Sequence, residues 1–152
     1  MDERERVLLS LAGVRVFMGV LWLANLLWKL PPDFGKGDYW GLPRAFRVAR
    51  EHALTSPLRS FADDVLIPHT TAFGWIVFLA GLLTGLSLVL GMATRVGAAL
   101  GLLQAIAITL LVANAPGEWL YGYLMFILLS GLLLVLPVSR RLSFDDALGR
   151  DP

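Results

Sequence analysis

The chain contains no cysteine in its 152 residues. That absence excludes disulfides, thiolate metal sites, iron–sulfur clusters, covalently attached haem and any cysteine persulfide intermediate. Histidine is nearly as scarce: His52 and His69 both fall outside the most apolar segments, so axial haem ligands between buried helices are not expected. No set of residues suggests a metal site. Charge is thin too, since Asp, Glu, Lys and Arg make up 16% of the chain against about 25% in average soluble domains. A formal net charge of +1 gives no electrostatic case for nucleic acid.

What remains is apolar. Hydrophobic residues reach 57%, above the roughly 45–50% of soluble domains, and mean hydropathy is +0.68. A lone water-soluble globule cannot hide that excess, so the expected setting is a lipid bilayer. Crossing about 30 Å of hydrocarbon takes about 20 residues, and four runs qualify: 7–30, 72–92, 96–115 and 119–137. The first is read as a retained span rather than a signal peptide. Its flank mixes Asp2, Glu3 and Glu5 with Arg4 and Arg6, Arg15 interrupts its core, and no small-x-small cleavage site follows. Only Ala93-Thr94-Arg95 and Pro116-Gly117-Glu118 separate the last three runs, which forces antiparallel hairpins. The sequence therefore predicts an all-α, single-domain, up-and-down four-helix membrane bundle.

The 31–71 connection is too long to be structureless in a compact domain. Pro43 suits a first helical position, with Leu42, Phe46, Ala49 and Ala53 on one face and Arg44, Arg47 and Arg50 on the polar side. Ser56-Pro57 opens a second short helix with Leu58, Phe61, Val65 and Leu66 inward. Both helices suit the membrane interface or a roof over the bundle. Pro137 ends the fourth run, and Ser143 with Asp146 resembles a capping box for a terminal helix. Basic residues divide evenly between the two sides, but Arg95, Arg140 and Arg141 abut span ends, which favours both termini in the cytoplasm of a multi-pass cell-membrane protein. Trp28, Tyr39, Trp40, Trp75, Trp119, Tyr121 and Tyr123 form an aromatic belt on the loop side.

Arg15 lies inside the first span, where a guanidinium is costly and needs a partner. At 100° per residue Arg15, Gly19, Trp22, Leu26 and Lys29 share a stripe facing the bundle interior, with Asn25 at its edge and Trp28 pointing away. Arg15, Trp22, Asn25, Lys29 and Gln104 are thus the candidate ligand-binding set for an anionic or quinone-like molecule. Alternatively, Arg15 snorkels or pairs with Gln104 or a carbonyl, and Gln104 serves as interhelical glue. Gly81 with Gly85 and Gly97 with Gly101 read as close-packing pairs. Lys36, Arg44, Arg47 and Arg50 form a basic group for a small anion or lipid headgroups. His69 is a proton-relay candidate or a solvated helix-entry residue, and Glu118 a first-turn acid on the fourth span.

Arg15-x3-Gly19 followed by Lys29, Leu82-x2-Gly85, Leu90-Gly91-x2-Thr94-Arg95 and Leu142-Ser143-Phe144-Asp145 stand in order on this four-span plan. In that arrangement the chain resembles the DoxX-like small membrane proteins, which include the DoxD subunit of thiosulfate:quinone oxidoreductases. That family often carries a glutamate where this chain has Gly81. The resemblance implies a membrane subunit of a quinone-linked redox system, with quinone as acceptor and a sulfur oxyanion as donor in some members. Two other functions stay open. One is a non-catalytic anchor for a soluble redox or sulfur-transfer partner; the other is a lipid- or small-solute-binding protein. Homo-oligomerisation is compatible with each.

Overall fold

A computed structural model describes residues 3–36 and 41–136, and these contain helices and turns but no strand. Helix α1 spans Glu3–Ala24, with Glu3 and Glu5 in the first turn, where acids complement the helix dipole. It ends at Ala24 rather than at the expected Leu30. The Leu26, Leu27 and Lys29 amides bond to carbonyls three residues back, at 2.8–3.2 Å. These tightened turns lead into Pro31 and Pro32, which lack amide donors and would clash with an α-helical preceding turn.

Three more long helices follow later in the chain: α4 (Thr70–Leu90), α5 (Thr94–Val112) and α6 (Leu120–Val135), after the shorter α2 (Leu42–His52) and α3 (Ser56–Phe61). At about 1.5 Å per residue, α1, α4 and α5 reach roughly 28–33 Å, and all three are long and apolar enough to cross a membrane. Helix α6 is equally apolar but has 16 residues, or roughly 24 Å. The turn between α4 and α5 closes through Gly91 at φ 68°, a left-handed helix end that suits glycine. The Ser87 hydroxyl donates to the Met92 carbonyl at 2.6 Å across the same turn.

Helix α1 packs on α4, α4 on α5 and α5 on α6, while α1 meets α6 over only a short stretch. Bare backbone makes the first contact close. A β-carbon at Gly19 would stand 2.8 Å from the Val89 backbone nitrogen and 2.9 Å from the Gly85 carbonyl oxygen. At Gly101 it would lie 3.1 Å from both Thr84 Cγ2 and Trp22 Nε1. The glycine pairs therefore serve packing. Met18, Trp22, Leu88, Ala98, Ala105 and Leu133 form the central core, and the Trp22 ring meets Phe126 edge-on at 5.4 Å to close the α1–α6 seam. Outward faces carry residues such as Phe17, Ile76, Leu83, Leu103, Met125 and Leu128.

Between α1 and α4 the chain builds a roof. Gly41 caps α2 in an extended conformation and Pro43 lies in its first turn, where a missing amide costs nothing. Leu42, Phe46, Ala49 and Ala53 are buried as expected, and the first three cluster with Phe34, Ala62 and Leu66. The Leu54 amide donates to the Leu110 carbonyl at 2.9 Å, tying the roof to α5. Helix α3 runs into a π-helical turn, Ala62–Leu66, closed by the Ile67 amide on the Ala62 carbonyl. That wider turn shifts the face. Ala62 and Leu66 point inward, whereas Phe61 is 41% exposed and only edges onto Phe73, which corrects its expected burial. The terminal helix expected from Ser143 and Asp146, and the Tyr39 and Trp40 part of the belt, lie outside the described residues.

Candidate ligand cavity

Under the roof, where α2 packs against α5 and α4, lies a cavity of about 360 Å³. Five pieces of chain build it, counting Val77 of α4. Asn25, Trp28 and Lys29 come from the turns after α1, Leu42, Arg44 and Phe46 from α2, and Gln104, Ile108 and Leu111 from α5. Glu118 and Tyr123 close the side next to α6. Gln104 lies about 12 Å along α5 from its end at Val112. The cavity thus runs from a polar mouth on the loop side past apolar walls to a buried amide.

Lys29 dominates the electrostatics. It is 4% exposed, its Nζ donates to Asn25 Oδ1 at 2.6 Å, and it sits 4.2 Å from the centroid of the Trp28 ring. The amide oxygen and the ring face both favour a cation. Burial opposes it, pushing the Lys29 amine down to about 8, so that it remains charged at neutral pH. Across the cavity the Tyr123 hydroxyl donates to Glu118 Oε2 at 2.6 Å. Deeper in, Gln104 Nε2 donates to Thr84 Oγ1 at 3.1 Å and to the Leu100 carbonyl at 3.3 Å, bridging α5 to α4. Gln104 is therefore glue and cavity wall at once.

The structure divides the residues singled out in the sequence. Asn25, Lys29, Gln104 and Arg44 come together around the cavity. Arg15 and Trp22 share the buried stripe of α1 with Lys29 but lie in the core, outside the cavity lining. Lys36 and Arg47 are exposed. Arg50 is engaged with Asp63 at 3.6 Å and Glu51 at 3.4 Å, which reduces its availability to an outside anion. His69 precedes α4, exposed, with Nδ1 3.0 Å from the Val65 carbonyl oxygen.

Two expectations need correction. Trp28 does not point away from the stripe: the tightened turns after Ala24 break the 100° step and bring its ring to the cavity. Glu118 is not a first-turn acid, because it precedes the capping residue Trp119 and accepts the Tyr123 hydroxyl instead. Its pairing with Tyr123 was missed because the two straddle a helix start, where no single periodicity relates them. The aromatic-belt position of Tyr123 and the neighbouring acid were the only signals. No family model, curated protein or solved structure matches the chain.

Proposed function

We propose that the protein is a four-span membrane protein whose roofed cavity binds a lipid-soluble ligand by its polar head. The carrying observation is the cavity itself, with the buried Lys29 amine on a largely apolar wall. Intramembrane and interfacial charges at such a position are costly to keep and mark ligand sites by default. In this reading α1, α4, α5 and α6 cross the bilayer, α2 and α3 lie at the interface, and the termini are cytoplasmic. The volume falls in the lower part of the range for small-ligand sites, about 300–1,000 Å³. The DoxX-like resemblance supplies a use for such a site, as the membrane subunit of a quinone-linked redox system. A quinone's carbonyls could accept from the Lys29 amine and its ring could lie against the apolar walls.

The test is native mass spectrometry of gently purified protein, comparing wild type with Ala107→Phe, which fills the cavity from α5. Wild type is expected to carry a lipid-soluble molecule that the folded Ala107→Phe protein lacks. Equal ligand content in both, or none in wild type, would sink the cavity reading. A stoichiometric soluble partner retained in the absence of ligand would favour the anchor function.

A further inference from the structure

The chemical class of the head group can be read from the cavity wall. We infer that the cavity selects a single-chain amphiphile with one ionised acidic head, seated against Lys29; this rests on the proposed reading that the cavity binds a lipid-soluble ligand. Lys29 is almost fully buried, and among the described residues its hydrogen-bond acceptor is the neutral Asn25 amide. No described carboxylate lies within ion-pair distance of it. A buried cation whose described partners are a neutral amide and an indole ring bears a desolvation cost that an anion at hydrogen-bonding distance would offset. Arg44 adds a second positive group to the wall. The one carboxylate there, Glu118, already accepts the Tyr123 hydroxyl.

Size and polarity narrow the ligand further. A small hydrophilic oxyanion would reach Lys29 but leave the Phe46, Ile108 and Leu111 walls unfilled. A cavity of about 360 Å³ lies at the low end of the range for small-ligand sites, which favours one chain over two. One acyl chain along the apolar walls, with its acid at the mouth, satisfies both features. Trp28 stacked on Lys29 holds the amine in place, so the head meets an ordered donor rather than a flexible one.

Oleate, oleyl alcohol and decylubiquinone, titrated separately into the purified full-length protein at neutral pH and read by native mass spectrometry, test the inference. Oleate is expected to bind at least about tenfold more tightly than oleyl alcohol, the ratio that one charge-assisted hydrogen bond supplies. Lys29→Gln should bring the two within about twofold, while Lys29→Arg keeps the preference for the acid. Oleyl alcohol or decylubiquinone binding wild type as tightly as oleate would overturn the inference and leave the cavity reading standing, and this comparison needs no variant. An acid preference that survives Lys29→Gln would also overturn it. If none of the three probes binds, the cavity reading falls with it.

Discussion

At the scale of single residues, the buried stripe of α1 was readable because helical periodicity needs only the sequence, and Arg15, Gly19, Trp22, Leu26 and Lys29 are all buried. Their division into core and cavity was not, since it depends on where α1 stops and on what α2 covers. That division makes the roles of two cations separable. Arg15 lies outside the cavity lining, so Arg15→Lys is expected to lower the melting temperature and leave ligand affinity within about threefold, or less than 1 kcal/mol. Loss of ligand with unchanged melting would return Arg15 to the binding site. Lys29 makes the opposite prediction for pH. Its folded pKa of about 8 lies below the ordinary lysine value of 10.5, so the unfolded chain binds more protons between those values and stability rises with pH. The cost of burying the charge is full below about pH 8 and vanishes above about 10.5, a gain of roughly 3 kcal/mol at about 1.4 kcal/mol per pKa unit. Thermal unfolding in detergent from pH 7 to 10.5 should show this rise in wild type, and Lys29→Met should flatten it. Equal slopes in both would show that Lys29 is not the source.

At the scale of elements, the short connections and the Pro43 start of α2 were legible because proline and turn chemistry are local. The π-helical turn was not, and it moved Phe61 outward by a change of register that no apolar spacing announces. The α1–α4 contact depends on two glycines facing each other. Gly19→Ala should cost about 1–3 kcal/mol, because its new β-carbon would press on backbone atoms of α4 that cannot rotate away. Gly13→Ala on the same helix meets nothing within 4 Å and should be neutral or stabilising by up to about 1 kcal/mol. Similar losses from both would mean that α1 does not rest on α4 at Gly19. For the roof, single cysteines can be read against a thiol-free background. Cysteines at Phe46, Ala49 and Leu66 should label slowly, and those at Arg47 and Phe61 quickly, following their burial. Uniformly fast labelling would mean that α2 does not cover the cavity.

At the scale of the whole molecule, composition placed the chain in lipid, and the helices that carry this conclusion are α1, α4 and α5. The weight of the topology falls on α6. If only the three long helices cross, the two termini lie on opposite faces; if α6 also crosses, they share one. Helix α6 spans roughly 24 Å, a few ångströms short of a 30 Å hydrocarbon core, a mismatch that local thinning or interfacial anchoring absorbs at a fraction of a kcal/mol per ångström. Its outward residues argue that it crosses. Leu124, Met125, Leu128, Leu132 and Val135 are exposed and apolar along its length, and Trp119 and Tyr121 stand exposed at the loop-side end. Among the described residues no neighbouring helix covers that face, so water would have to wet it if α6 lay outside the bilayer. Reporter fusions after Lys36, after Pro116 and after Arg150 should therefore place the first two on one side and the third on the other. A fusion after Arg150 that reports the Lys36 side would leave α6 outside the membrane. The cavity edge formed by Tyr123 and Glu118 would then lose its lipid-facing support.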